Sequence, residues 1–508
     1  MSHTALPPDV TPPPARSVET PGRSEPPGHA QAPSRPAGGP IWGSLWRLLL
    51  PVAVALALWW VPAPDGVKQQ AWHLLAIFVA TIVGIVAKPL PMGAVALLGI
   101  LATALTGTLT VQESLSGFAN NVIWLIVLAF FIARGFIKTG LGTRIAYLFV
   151  RALGGRTLGL GYGMLATDLV LAPAIPSNTA RAGGVIYPIV RSLSASYGSE
   201  PDNGTARRMG SYLTLTAFQG NVVTSAMFVT AMAANPLAVE LAGSAGVHIS
   251  WGRWALAALL PGLVSLLLVP LVLFKLHRPE VTRTPAAPEE AKRKLAEMGP
   301  MSRAEKVMLA TFGLLLLLWT VGDQLWDLNS TVAALTGLAV LLLTRVLTWD
   351  DILGERTAWD TLVWFAALVM MAGFLNSLGL IKWFSAQMSD VVGGLAWQPA
   401  FLVLALVYFA SHYFFASNTA HVSAMYAAFL ATAIALGTPV LLAALVFGFL
   451  SSLFGGLTQY GSGPAPVLFG AGYVPLGTWW RMGAVVGALN LAVWLVIGGA
   501  WTKLLGIW

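Results

Sequence analysis

The chain has 508 residues, of which 56% are hydrophobic and only 10% charged, with a mean hydropathy of +0.73. That balance excludes an ordinary soluble globular protein and points to an all-α polytopic membrane protein. The 29 Lys and Arg outnumber the 21 Asp and Glu, but the excess sits in alternate connections, as topology requires, so no nucleic-acid partner is read from it. With no cysteine, disulfides, thiolate metal sites and cysteine nucleophiles are also excluded.

Residues 1–43 hold about a third of the 32 prolines and show no apolar periodicity. They read as a disordered, Pro-rich cytoplasmic tail. Apolar windows of roughly 20 residues, long enough to span a bilayer, begin near Leu45, Trp72, Leu90, Val122, Tyr212, Trp254, Val307, Val332, Leu362, Leu441 and Met482. About 11 transmembrane helices are therefore expected. Basic residues such as Lys88, Arg144, Arg151, Arg191, Arg207, Arg345 and Arg481 mark the cytoplasmic connections, and Glu113, Glu240, Asp323 and Asp390 mark the opposite side. The fourth span is expected to be long, running from Val122 towards Arg156. Arg134 and Lys138 share one of its faces, where they either meet a pathway or snorkel and pair within the protein.

Two apolar stretches do not read as simple spans. Residues 158–193 are broken near their middle by Pro173, Pro176, Ser177 and Asn178. Because Pro lacks a donor and disfavours helix before it, this is a pair of half-helices meeting at a tip, a re-entrant hairpin. The sequence Ser177-Asn178-Thr179-Ala180-Arg181 returns 240 residues later as Ser417-Asn418-Thr419-Ala420-His421. The second hairpin, residues 400–436, enters from the side poor in basic residues. Each tip is followed by polar residues in a span: 219–225, with Thr224 and Ser225, in the first half, and 457–466, with Ser462 and Gly463, in the second. Both segments are expected to be interrupted helices beside the substrate, and the two halves to form an inverted repeat. Thr224, Ser225, Ser462 and Gly463 are read as substrate-binding residues together with the two tips, Arg181 and His421. The polar stretch between them, with Glu289 to Lys294, reads as a solvated connector.

The resulting domain plan has a tail at 1–43 and first scaffold helices at 44–156. A first transport half at 157–275 (tip 176–179) is followed by a connector at 276–306. Second scaffold helices at 307–397 lead to a second transport half at 398–508 (tip 416–419).

Helix N-termini attract anions through free N–H groups and the macrodipole. Ser, Thr and Asn add donors without fixed charge, and two facing tips suit a molecule with a carboxylate at each end. One such motif could merely cap a helix; two matched copies in apolar sequence point to a site. Arg181 is permanently charged and His421 titratable. If both were cationic, an empty site would carry unpaired positive charge and should not cross the membrane, giving obligatory exchange. Arg181 could instead pair with Asp168 on the opposite arm, and His421 could be a neutral histidine bonded to backbone. His412 is read as structural and left outside the site.

The paired Ser-Asn-Thr tips, each with a polar segment downstream, resemble the divalent anion:sodium symporter family over nearly everything after residue 43. Ser-Asn-Thr-Ala-Arg, Ser-Asn-Thr-Ala-His and Tyr460-Gly461-Ser462-Gly463-Pro464 look more like its exchanger branch, which often has His where this chain has Gln459. That resemblance implies an elevator-type carrier with scaffold and transport domains, usually a homodimer. It also implies that Ser177, Asn178 and Thr179 contact one substrate carboxylate and Ser417, Asn418 and Thr419 the other. Arg181 and His421 would then lie where symporters hold sodium.

The expected function is exchange of small dicarboxylates (2-oxoglutarate, malate, succinate) across a bacterial inner membrane, with lipid as the other partner and no cofactor or metal. The alternatives are a sodium-coupled symporter of the same fold and, more remotely, a dicarboxylate-binding sensor. An enzyme is not expected: no His-Glu-x-x-His motif is present, and Gly461-Ser462-Gly463 lacks the flanks of a nucleophile elbow.

Overall fold

The structure, a computed structural model, describes residues 42–508 apart from 327, 381, 385 and 388–395; at 42–45, 323 and 324 only the backbone is described. The expected Pro-rich tail therefore lies, but for its last two residues, outside the described residues, as does Asp390. Residues 46–508 form one compact unit. Among the described residues the regular elements are all helical, and the sole β-type pairing is an isolated bridge between Arg156 and Arg283.

Each of the eleven apolar windows opens at or beside a helix. Among the described residues six helices are long and apolar enough to cross a membrane: Gln69–Ala87, Asn121–Thr139, Trp251–Leu276, Arg303–Gly322, Arg356–Ser377 and Leu476–Leu504. Their ends follow local chemistry. Asn120 Oδ1 accepts from the backbone N–H of Val122 (2.8 Å) and Ile123 (3.2 Å) to start Asn121–Thr139. Ser250 Oγ caps Trp251–Leu276, and Ser302 with Glu305 forms a capping box for Arg303–Leu317.

Three expectations need correction. The fourth span does not run on to Arg156. It stops at Gly140, whose φ of 75° is left-handed and ends the helix, and a separate helix Leu141–Leu153 follows. Of the two readings of Lys138, at the end of the fourth span, pairing within the protein holds: it meets Asp351 at 2.5 Å. The connector is not simply solvated either: Ala286–Glu297 is a helix whose Ala287 and Ala291 are buried. It is held by Arg144, which bonds the carbonyls of Met298 and Gly299 and pairs with Glu305 at 2.5 Å. Charged residues on one face hid the apolar pair on the other. The third correction concerns the helix Gly210–Met227, which continues unbroken through 219–225. Its break comes later, from Phe228 to Ala233.

The two halves share an order of elements. Asn121–Thr139 and Arg356–Ser377 each precede a hairpin. The first hairpin descends along Thr157–Leu171, turns at 172–177 and returns through Ala180–Ile186 and Tyr187–Ser196. The second descends along Trp397–Ala410, turns near 415–417 and returns through Asn418–His421, Val422–Tyr426 and Ala427–Ala435. In both, the returning arm starts at the Ser-Asn-Thr motif and passes into a wider π-helical turn. A buried helix follows in each half, Gly210–Met227 and Val440–Leu453, then a break, a short helix and a long closing helix.

Candidate functional site

The tips come together around the unwound segment 457–463; helix resumes at Pro464, within the expected interruption of 457–466. At Gly463 there is no room for a side chain, because a Cβ would lie 2.2 Å from Thr179 Oγ1 of the first tip. At Gly455 a Cβ would meet the Asn418 amide and Ser462 Cβ within 3.1 Å. One glycine-rich strand of backbone thus touches both Ser-Asn-Thr motifs. A further bridge between the halves is Gln219 Nε2, which donates to Gly456 O at 2.9 Å.

The tip residues divide into caps and free donors. Ser177 Oγ accepts from Ala180 N (3.1 Å) and Ser417 Oγ from Ala420 N (3.4 Å), so each serine caps its arm while its own proton stays available. Asn178 Oδ1 accepts from Thr179 N at 2.9 Å, leaving its NH2 to donate, whereas Asn418 Nδ2 is held by Ser451 O at 2.8 Å. Ser177, Asn178, Thr179, Ser417 and Thr419 are half-buried and Gly463 exposed, as an open site needs. Ser462 is buried beside Asn418, and its Oγ has no hydrogen-bond partner among the described residues.

Arg181 stands behind the first tip rather than in it. It is 0% exposed. Nε donates to Asp168 Oδ1 (3.0 Å), Nη1 to the carbonyls of Ile175 and Ala231 (2.6 Å each) and Nη2 to Ser225 Oγ (2.9 Å). Asp168 Oδ2 accepts from Asn221 Nδ2 at 3.0 Å and from Thr224 Oγ1. The placement of Arg181, Thr224 and Ser225 as substrate contacts is therefore corrected: their polar groups are committed to one another and to Asp168. Ile175 O and Ala231 O belong to the hairpin turn and the helix break, backbone that cannot satisfy itself in a membrane. The guanidinium occupies the position of a cation in an oxygen cage, and so explains why the break lies where it does. Asn235 supports the same break, donating to Ser225 O (2.7 Å) and Phe228 O (2.9 Å).

Pairing with Asp168 also changes the charge balance. Arg181 and Asp168 together are neutral, so the expected unpaired positive charge of the empty site is not present at Arg181.

His421 lies behind the second tip, four residues after Ser417 as Arg181 is four after Ser177. It too is 0% exposed, stacked between Phe415 and Phe454 with ring centroids 4.4 Å away on each side. Its Nε2 meets Ser411 Oγ and its Nδ1 meets His412 Nδ1, both at 3.0 Å; His412 Nε2 donates to Gly461 O at 2.8 Å. His421 is thus a second-tip support rather than a group facing substrate. His412, left out of the site on sequence, belongs beside it. The available signal was position: the two histidines lie five residues before and four after Ser417, so folding the hairpin brings them together.

The transmembrane-region model of sodium:sulfate symporters matches residues 43–508. The chain belongs to that family. It is 58% identical over 462 residues to the putative malate transporter YflS of Bacillus subtilis, covering 91% of this chain and 96% of the relative. It is 53% identical to the chloroplastic dicarboxylate transporter 1 of Spinacia oleracea, covering 92% and 82%, and 39% identical to the inner membrane protein YbhI of Escherichia coli, covering 92% and 98%. Among solved structures, the Alcanivorax borkumensis YdaH transporter shares the fold with a TM-score of 0.57 over 91% of this chain and 98% of its own, at 16% identity. Membership of this transporter family and the long apolar helices make the protein a multi-pass membrane protein.

Proposed function

We propose that the chain is a sodium-independent carrier that exchanges small dicarboxylates. The observation that carries the reading is the meeting of both Ser-Asn-Thr tips on the single segment Gly455–Gly463. Two donor sets, each at the start of a helical arm, suit two carboxylates on one short chain better than a one-centre anion such as sulfate. The names of the Bacillus and Spinacia relatives, malate and dicarboxylate transporters, agree with that chemistry.

Sodium independence is supported by Arg181, whose guanidinium fills an oxygen cage a sodium ion would otherwise suit. Exchange is favoured by energetics. A dianion moving alone carries two charges, which a potential of about 100 mV opposes by about 4.6 kcal/mol, whereas trading one dianion for another moves none. The family's sodium:sulfate name keeps sodium symport as the competing reading. The hairpins and broken helices would move as an elevator against scaffold helices 44–156 and 307–397 of a homodimer, with a cytoplasmic N-terminus. Radiolabelled flux into proteoliposomes tests the substrate class. Malate, succinate and 2-oxoglutarate should compete with one another, and propionate and sulfate should not; competition by sulfate alone would overturn the assignment.

A further inference from the structure

The hydrogen bonds around His412 and His421 can be counted, and the count leads to a site for one proton. Gly461 O can only accept, so His412 Nε2 carries a hydrogen. The Nδ1 atoms of the two rings face each other at 3.0 Å, which needs one hydrogen between them. Ser411 Oγ lies 3.0 Å from His421 Nε2 and 2.8 Å from Tyr408 O, with one proton to give.

Two arrangements satisfy these contacts. In the first, Ser411 donates to His421 Nε2, His421 Nδ1 donates to His412, and both rings are neutral. In the second, Ser411 turns to Tyr408 O and accepts from a protonated His421 Nε2. The pair then holds three hydrogens and one positive charge, and every nitrogen and oxygen named is satisfied. A single hydroxyl rotation separates the two states, and Ser411, half-buried, leads from the rings towards the surface.

Within the protein the charged state has aromatic neighbours but no counter-charge, so it needs one from outside. Phe415 and Phe454 cover both faces of His421, an arrangement that attracts a cation. Tyr408, its ring tilted against His421, donates its hydroxyl to Ser451. The helices Gln69–Ala87 and Ala234–Ser244, which pack against the tip helix, bring His73 and Glu240, bonded to Gln69 and Asn120 respectively, and Lys88, just past the first of these helices, lines with Arg47 a cavity that reaches Phe415 and Ala416. Tyr426 donates to Ala444 O, and Tyr460 to Tyr413 O. Among the described residues no carboxylate, lysine or arginine bonds either ring. The second tip, where a substrate carboxylate would bind, opens the arm that carries His421.

We infer that His412 and His421 form a one-proton binding site whose occupancy is coupled to a carboxylate at the second tip. The inference rests on the dicarboxylate reading above. The dianion favours the charged pair and, reciprocally, a proton favours the dianion. Affinity is highest at low pH. It falls up to tenfold per pH unit between the pair's pKa in the free carrier and its higher pKa in the loaded one. In exchange the proton travels in with one dicarboxylate and out with the next, leaving the cycle electroneutral.

The test is titration calorimetry of the purified full-length protein with succinate, from about pH 6 to about pH 9, in buffers of differing ionisation heat. The wild type should take up close to one proton per succinate where the pH lies between the two pKa values of the pair, and none above the higher one, and H412Q should take up none while still binding. No proton uptake by the wild type at any pH, or full uptake by H412Q, overturns the site. Absence of binding by succinate, malate and 2-oxoglutarate alike refutes the carrier reading itself and the proton site with it.

Discussion

Replacing Arg181 by Ala puts the oxygen cage to the test. The change removes donors from Asp168 Oδ1, Ile175 O, Ala231 O and Ser225 Oγ at once, in a place where the side chain is 0% exposed. Stranding a buried carboxylate costs about 3–5 kcal/mol, because the remaining charge has no solvent to turn to. The vacated space is lined by a carboxylate, two carbonyls and a hydroxyl, the oxygen ligands a hard cation takes. Sodium should therefore bind the variant and restore about 1.4 kcal/mol when present at ten times its dissociation constant. Thermal unfolding of R181A in detergent, titrated with sodium against choline, reads this directly. Exchange activity in proteoliposomes should follow: absent in choline, partly recovered in sodium, with the wild type indifferent to the swap. A variant as stable as the wild type, or one whose stability and activity ignore sodium, would refute the cage reasoning.

D168N should be as damaging as R181A by the same logic, leaving the guanidinium unmatched, with a loss of about 3–5 kcal/mol in denaturation and no rescue by sodium. G463A should raise the KM for malate at least tenfold, about 1.4 kcal/mol, because its Cβ displaces the Thr179 hydroxyl, whereas G470A, with nothing within 4 Å, should behave as wild type; equal KM values would remove Gly463 from the site. His277, just beyond the helix Trp251–Leu276, is held down to about 4 from 6.5 by burial, with Arg207 and Arg481 adding repulsion. Folding therefore favours its neutral form: that stability is intact above about pH 6.5 and lost as pH falls towards about 4. H277Q should flatten the acid side of the stability profile over this window, and an unchanged profile would exclude His277 as its source.

Much of this architecture can be read from residue order because a membrane interior punishes unpaired polarity. Prolines at 173 and 176 with a Ser-Asn-Thr run could only be a turn, and its recurrence at 417 revealed the duplication. The position of the break after Met227 could not be read that way. It depends on Arg181, Thr230 and Asn235 converging on carbonyls from different segments, whereas the polar residues at 219–225 that suggested a break face Asp168, Arg181 and Gly456 from an intact helix. Arg181 was found by its motif, but its direction was set by Asp168, thirteen residues earlier, and only the folded hairpin decides between a partner and a substrate. His412 was hidden for a similar reason, since a lone histidine in apolar sequence gives no sign of the second ring it meets.

Uptake of labelled malate into proteoliposomes, with and without internal malate and with sodium replaced by choline, bears most directly on the proposed carrier. Rapid uptake confined to preloaded vesicles and equal in the two salts is the predicted result. Accumulation in empty vesicles driven by an inward sodium gradient would contradict it.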